Sequence, residues 1–176
     1  MQKFLIYIIA LQLTSLHGQE MVFGQEEVLP GISIIFEAAP KDSIFPDKFF
    51  LQESETDIHI EMLINWSENG PKGSQQGGFI PYLVVSATIK NKNGNELKTM
   101  LTPHLNLSDN FHYARNIKLP GNIDDLYDVE IKINPPKKGQ LGIHKDWKQK
   151  YGSLMEEKTF NYSNLSFRKI AIQSRN

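Results

Sequence analysis

The feature that most constrains the fold is an alternation of apolar and polar side chains from residue 57 to residue 66. Isoleucine and methionine occupy one set of alternate positions, whereas His59 and Glu61 belong to the other set. Successive side chains of a β-strand point to opposite faces. The pattern therefore predicts a strand with one face in a core and with His59 and Glu61 together on the opposite face.

Other short β-rich segments follow along the chain, separated by polar turns. They cover residues 31–38, 82–91, 96–101, 127–133 and 160–172. Asn93-Gly94 is typical of a tight hairpin turn whose central residues accept positive φ, and residues 67–78 predict a flexible loop. No segment carries a long helical apolar stripe. The sequence therefore predicts one all-β domain, built as a two-sheet antiparallel β-sandwich.

The first residues are typical of a signal peptide. Lys3 precedes an apolar run over residues 4–13, which is shorter than the roughly 20 residues that a membrane-spanning helix needs. A buried N-terminal strand is the alternative interpretation. We expect a signal peptide over residues 1–24, cleaved after Gly24 or alternatively after Gly18, and a mature domain over residues 25–176. With no cysteine for a lipid anchor, that domain is expected in the periplasm or secreted.

Composition excludes several functional classes. The chain has 19 basic and 20 acidic residues and a formal net charge of -1, whereas nucleic-acid binding requires a basic surface. The absence of cysteine removes disulfides, thiolate metal ligands and thiol nucleophiles. An exported domain of this kind must be held together by its core, by a metal ion or by a second subunit.

Histidines are the candidate metal ligands, and of the five, His17 lies in the predicted export segment. On one strand face, His59 and Glu61 lie roughly 6.6 Å apart, close enough for one ion to meet both. The other candidates lie in predicted turns or strand ends, which can converge at one end of a sandwich: His104, His112 and His144. The residue pattern alone leaves open that these are ordinary surface or core histidines.

Four motifs, taken in order, resemble the periplasmic Fe(II)-transport protein family, which includes copper-binding iron-uptake proteins. They are Asp57-Ile58-His59-Ile60-Glu61, Ile80-Pro81-Tyr82-Leu83, Ser108-Asp109 with His112-Tyr113 and Asn116-Ile117-Lys118, and Gly142-Ile143-His144-Lys145-Asp146. The resemblance runs from about residue 28 to residue 167. It implies an immunoglobulin-like β-sandwich that forms a homodimer, binds a divalent ion and supports Fe(II) uptake beside an inner-membrane iron permease.

The resemblance also implies the ligands. The family's first histidine and glutamate fall on His59 and Glu61, and its later histidines fall on His112 and His144. Where the family has Met-Pro-Met with a methionine ligand, this chain has Thr-Pro-His, so that His104 takes the place of the methionine. Imidazole suits Cu(II), Fe(II) and Zn(II), whereas thioether sulfur favours Cu(I). We therefore expect Cu(II) or Fe(II), with Zn(II) as an in vitro ligand.

Three classes of function fit these observations: a metal-binding transport component, a metal-dependent exported enzyme, and an interaction module with incidental histidines. The chain lacks the His-Glu-x-x-His and Gly-x-Ser-x-Gly signatures, so we expect metal binding without catalysis. Asp109 is either an iron-contacting group or a turn-capping residue. Since neutral imidazole is the binding form, metal affinity is expected to fall below about pH 6.5.

Overall fold

The computed structural model describes residues 20–173, and the statements that follow concern those residues. Eight strands and two short α-helices follow one another along this part of the chain. The strands are β1 (Met21–Val28), β2 (Ile32–Ala39), β3 (Ile58–Trp66), β4 (Val84–Asn91), β5 (Glu96–Asn106), β6 (Asn110–Ile117), β7 (Tyr127–Asn134) and β8 (Lys158–Leu165). The helices are α1 (Lys145–Tyr151) and α2 (Arg168–Ala171). Between residues 20 and 173, neither helix is long and apolar enough to cross a membrane.

The strands form two antiparallel layers that share β5. Their order is β1-β2-β3-β6-β5-β4-β7-β8. The first part of β5 pairs with β4 up to Leu101, and its second part pairs with β6 from Thr102 onward. Because β5 passes from one layer into the other, the strands close over a common interior. The architecture confirms the predicted all-β, immunoglobulin-like antiparallel sandwich.

The interior of the sandwich contains the apolar face of β3. Ile58, Ile60, Met62 and Ile64 have no solvent exposure, and they belong to one buried cluster with alternate residues of β4 and β7. Each such side chain contributes about 1.5–3 kcal/mol when it leaves water. The alternation predicted from the sequence is therefore confirmed, and the polar residues of β3 lie on its other face.

A long connection between β2 and β3 covers that polar face. This connection, residues 40–57, is called the cover segment below, and it contains two short 3-10 helices, Asp47–Phe49 and Glu53–Glu55. Beneath it, His59 and Glu61 are each only 1% exposed. Because the cover segment excludes most water, the polar side chains on this outer face of the sheet are buried.

The predicted boundary after Gly24 falls inside strand β1. β1 pairs with β2 along its whole length, from Met21 to Val28, so a cleavage after Gly24 would divide a strand. The alternative cleavage after Gly18 would leave β1 intact. Most of the predicted signal peptide, including His17, lies outside the described residues and stays a prediction.

Two local predictions need correction. The segment predicted as one or two closing strands consists of β8, which ends at Leu165, followed by α2. In the turn between β4 and β5, Gly94 has a φ of 87°, but Asn93 is not among the residues with positive φ. Asn91 explains the difference, because its side-chain oxygen accepts hydrogen bonds from the backbone of Asn93 and Asn95 and holds the turn.

Candidate metal centre

Three adjacent strands bring the candidate ligands to one face of a sheet. On β3 and β6, His59 lies opposite Asn116, and on β5 and β6, His104 lies directly opposite His112. Glu61 is two residues from His59 and shares its face. The predicted pair on β3 thus belongs to a polar row that continues over the two neighbouring strands.

The three histidines of this row surround one point. Their ring centroids are 5.3 Å apart for His59 and His104, 6.2 Å for His59 and His112, and 6.0 Å for His104 and His112. Each ring offers a nitrogen, and these three nitrogens lie within 4.8 Å of one another. The rings are 1%, 9% and 1% exposed, respectively. Three imidazoles at this spacing are suited to one transition-metal ion.

Neighbouring oxygen atoms select which nitrogen of two of these rings remains for a metal. The Nδ1 atom of His59 lies 2.7 Å from the side-chain oxygen of Asn116. The Nδ1 atom of His112 lies 3.3 Å from the carbonyl oxygen of Asn110. A carbonyl oxygen only accepts hydrogen bonds, so each Nδ1 carries the proton and Nε2 is the nitrogen that can bind an ion.

His104 supplies the clearest test of whether these residues fit a metal. Its Nε2 atom lies 3.2 Å from the hydroxyl oxygen of Thr102. Its Nδ1 atom is buried and has no hydrogen-bond partner within residues 20–173. A buried polar atom without a partner costs about 1–3 kcal/mol, and coordination of an ion would recover that cost. The donor set and the burial therefore fit a metal ion.

The protonation state of His104 also suits a ligand. Burial, followed by the nearby His112 and Arg115, lowers the pKa of His104 to about 4. The ring is thus neutral in neutral solution, which is the form that binds metals. At this residue, proton competition is expected at a lower pH than at an ordinary histidine, because the low-dielectric surroundings disfavour the imidazolium ion.

Carboxylates adjoin the imidazoles. Glu61 Oε1 lies 3.6 Å from His59 Nε2. Glu61 also forms a second group with Glu20 and Asp109, in which one carboxylate oxygen of each lies within 4.8 Å of the others. Asp109 accepts a hydrogen bond of 2.7 Å from Asn106, so it both holds the β5–β6 turn and faces the group. Glu61 can therefore add a hard oxygen donor to the nitrogen ligands.

A cavity of about 350 Å³ borders the three histidines. Its walls come from the cover segment on one side and from the β5–β6 hairpin on the other. The lining residues are Asp42, Ser43, Ile44, Phe45, Phe50, His59, Pro103, His104, Leu105, Asn106 and His112. This cavity gives an ion a route from solvent to the imidazole nitrogens.

His144 does not join the other ligands within one chain. It is exposed and immediately precedes α1. It lines an apolar cavity with Trp66 and Trp147, and Trp66 is at the far end of β3 from His59. Trp66 is seven residue steps along β3 from His59, a length of about 23 Å. The sequence expectation of one convergent four-histidine set is thus not met inside a single subunit.

Sequence reasoning missed several residues around the histidines. The sequence pattern places Glu20 within the predicted signal peptide and indicates no role for the cover segment. Asn116 was noted only as part of a family motif, although its spacing of four from His112 predicts the same strand face. That alternation along β6 is the one local signal that identifies a partner for His59.

Together the fold and the histidine group define a metal-binding β-sandwich. The sequence matches the family of Fe2+ transport proteins over residues 17–168. The chain belongs to this family, and the resemblance carried by the four motifs is confirmed. It is a metal-binding protein of Fe2+ transport.

Known relatives cover most of the chain. A UPF0423 protein of Brucella abortus is 26% identical over 149 residues, which are 82% of this chain and 80% of that protein. The 34 kDa membrane antigen of Treponema pallidum is 30% identical over 95 residues, which are 53% of this chain and 46% of that protein.

Solved structures of similar proteins support the same fold. FetP of uropathogenic Escherichia coli strain F11, expressed in the periplasm of E. coli, is 26% identical with a TM-score of 0.69, over 83% of this chain and 95% of FetP. Copper-reconstituted P19 of Campylobacter jejuni is 25% identical with a TM-score of 0.68, over 83% of this chain and 95% of P19.

Proposed function

We propose that this protein binds Cu(II) or Fe(II) in the periplasm and supports Fe(II) uptake together with an inner-membrane iron permease. The observation that carries the proposal is the group of three buried imidazoles whose nitrogens lie within 4.8 Å of one another. His59, His104 and His112 are the nitrogen ligands, and Glu61 is the oxygen ligand. The periplasmic expression of the similar FetP and the copper in the similar P19 support this assignment.

The donor set favours divalent ions. Nitrogen and carboxylate oxygen form a borderline-to-hard site, which suits Cu(II), Fe(II) and Zn(II) better than Cu(I). Among the divalent ions, the Irving–Williams order gives Cu(II) the highest affinity in vitro. Membership of the Fe2+ transport family supports Fe(II) as the transported ion, whereas Cu(II) and Zn(II) are practical probes of the site.

Metal titration of the purified protein tests this proposal. His59→Ala removes a ligand held on a rigid strand, so we expect affinity for Cu(II) to fall on the order of 100-fold or more, beyond the 10–100-fold typical of residues that only orient ligands. Asn65→Ala, on the same face of β3, is the matched control and should leave affinity unchanged. Equal Cu(II) affinity of wild type and His59→Ala would mean that the ion does not bind at the proposed three-histidine site.

Transport is tested separately in cells. Cells that lack the protein should take up less radiolabelled Fe(II), and wild-type protein should restore uptake while His59→Ala should not.

We further propose that the protein has no catalytic role. Metal-loaded protein should hydrolyse ester and phosphoester substrates no faster than the metal-free form, and metal-dependent turnover would favour an enzyme instead.

A homodimer is part of the proposal because it gives His144 a place in the site. In its own chain His144 shares a cavity with Trp66, which lies about 23 Å along β3 from His59. An ion can meet both residues only when His144 comes from a second copy. The exposed position of His144 beside the apolar surface of Trp66 and Ile143 supports such a contact.

Mixing two defective variants distinguishes this arrangement from a site inside one subunit. His59→Ala and His144→Ala homodimers should each bind metal weakly. After subunit exchange, a mixed dimer contains one site with His59 from one chain and His144 from the other, so about one strong site per mixed dimer should return. If no strong binding returns, or if sedimentation finds only monomers at tens of micromolar, roughly the range of weak association, His144 is not a ligand in trans.

A further inference from the structure

Asn116 is the residue that connects the histidines to the cover segment. It is 2% exposed and lies directly opposite His59 in the β3–β6 pairing. Its amide nitrogen donates to the carbonyl oxygen of Asp42 at 2.8 Å and to that of Leu51 at 2.9 Å. Its side-chain oxygen lies 2.7 Å from Nδ1 of His59. The buried side-chain amide of Asn116 thus contacts His59, Asp42 and Leu51 at the same time.

These contacts fix the orientation of the amide by chemistry. Backbone carbonyl oxygens accept hydrogen bonds and cannot donate them. The NH2 group of Asn116 must therefore face Asp42 and Leu51, and its oxygen must face His59. Since that oxygen also only accepts, Nδ1 of His59 must carry the proton. The lone pair of His59 is then on Nε2, the nitrogen that lies near Glu61.

The same amide holds the cover segment at two points. Asp42 and Leu51 are nine residues apart, and both belong to the part of the cover segment that lies over the sheet. Phe50, next to Leu51, contacts the ring of His104 with a centroid separation of 5.1 Å. The guanidinium group of Arg115 lies 5.2 Å from the centre of the Phe50 ring. The position of the cover segment is therefore linked to two of the three histidines.

We propose that Asn116 is a positioning residue of the metal centre, which fixes the Nδ1-protonated tautomer of His59 and fastens the cover segment over the histidines. A second hydrogen bond to the far nitrogen orients a ligand histidine and raises its basicity. The metal role of this inference rests on the proposed function, whereas the tautomer is a property of the metal-free protein.

Nuclear magnetic resonance tests the tautomer directly. Protein labelled with nitrogen-15 at histidine, free of metal and held at one mildly alkaline pH, should give His59 the nitrogen shifts of the Nδ1–H form. An Nε2–H form of His59 in the wild type would overturn the proposal. If the Nδ1–H form is found but wild-type protein fails to bind Zn(II) or Cu(II), the positioning geometry stands and the proposed function fails.

Two substitutions separate the two tasks of the amide. Asn116→Asp keeps an oxygen for Nδ1–H but loses both donors, so the His59 tautomer should persist while hydrogen exchange of residues 42–51 accelerates. Asn116→Leu loses both tasks, so His59 should no longer be held in one tautomer, and Zn(II) affinity should fall about 10–100-fold. Asn116→Asp should lose less affinity than Asn116→Leu, because it retains the contact to His59.

Asn91 provides the matched control. It is a second buried asparagine, 3% exposed, and it bonds to Asp125 and to the turn after β4. Asn91→Leu should lower thermal stability without changing the His59 tautomer or the Zn(II) affinity. An equal loss of affinity in Asn91→Leu and Asn116→Leu, or an unchanged affinity in Asn116→Leu, would show that Asn116 has only a structural role.

Discussion

At His104 this chain departs from the pattern that the family resemblance implies. The resemblance implies a methionine there, whereas this protein has an imidazole that is 9% exposed. Its Nδ1 atom is buried without a hydrogen-bond partner in the described part of the chain. The change from a soft thioether to an imidazole removes the donor that binds Cu(I) best. We therefore propose that His104 shifts the preference of the site from Cu(I) toward Cu(II).

Replacing this imidazole with a thioether tests that role. His104→Met should increase affinity for Cu(I) by at least about tenfold, equivalent to about 1.4 kcal/mol, and should weaken binding of Zn(II). Competition with a Cu(I)-specific chelator under anaerobic conditions gives the measurement. His104→Leu is the control, since it has similar volume and no donor, and should weaken both ions. If His104→Met binds Cu(I) no better than wild type, His104 is not a ligand.

The lowered pKa of His104 predicts how the metal-free protein responds to acid. Its value of about 4 in the folded protein is below the ordinary histidine value of about 6.5. Between these values the unfolded chain binds a proton that the folded chain does not, so stability falls as pH decreases from about 6.5 to about 4. The loss from this residue is complete once the pH is below about 4.

Chemical denaturation at several pH values, with a chelator present, measures this loss. In His104→Gln the proton-linked part should disappear, so the free energy of unfolding should change less between pH 6.5 and pH 4 than in wild type. The same slope in both proteins would contradict the assignment of a buried neutral ring at this position.

The course of β5 explains why the sequence predicts His104 in a loop or at a strand end, although His104 lies within β5. The β-rich pattern predicts a strand only to residue 101, and Pro103 follows two residues later, where proline is unfavourable inside a sheet. β5 nevertheless continues to Asn106. After Leu101 it leaves β4, and its last part pairs only with β6. The missing N–H of Pro103 can therefore lie on the unpaired side of the strand, which no local pattern reveals.

The packing of β1 against β8 indicates that the folded domain includes β1. A Cβ atom on Gly24 would lie 2.3 Å from the ring of Tyr162 on β8. Phe23 and Phe36 pack against that ring at centroid distances of 5.4 and 5.6 Å, and its hydroxyl donates to Glu26. The ring thus has little freedom to move away, and Gly24 allows β1 and β8 to approach.

Gly24→Ala should therefore reduce the free energy of unfolding by about 1–3 kcal/mol, as overpacking does. Gly142→Ala is the control, since no atom lies within 4 Å of an added Cβ there, and it should change stability by less than about 0.5 kcal/mol. Urea unfolding of both variants gives the comparison, and mass spectrometry of the exported protein gives its first residue. Equal stability of the two variants would mean that β1 is not part of the folded domain.

For the molecule as a whole, the sequence predicts the β-sandwich architecture better than it predicts how the candidate metal ligands are arranged. Alternation in β3 identified both the core face and the shared face of His59 and Glu61. The approach of His104 to His112 depends on the β5–β6 register, and burial of the group depends on the cover segment, whose contacts to Asn116 span 65 and 74 residues of sequence. Such long-range contacts follow from tertiary packing and leave no local periodicity.

This dependence on the assembled fold means that metal binding should stabilise the whole domain. The unfolded chain cannot hold three imidazoles within 4.8 Å, so an ion binds mainly the folded state. At a free ion concentration of 100 times Kd, the gain is about 2.7 kcal/mol, which for a domain of this size raises Tm by roughly 5–11 °C. Differential scanning calorimetry with Zn(II) measures this shift. Mg(II) should give almost none, because it prefers oxygen ligands, and His59→Ala should lose most of the Zn(II) effect. A Zn(II) shift of the same size in His59→Ala would locate the binding elsewhere on the molecule.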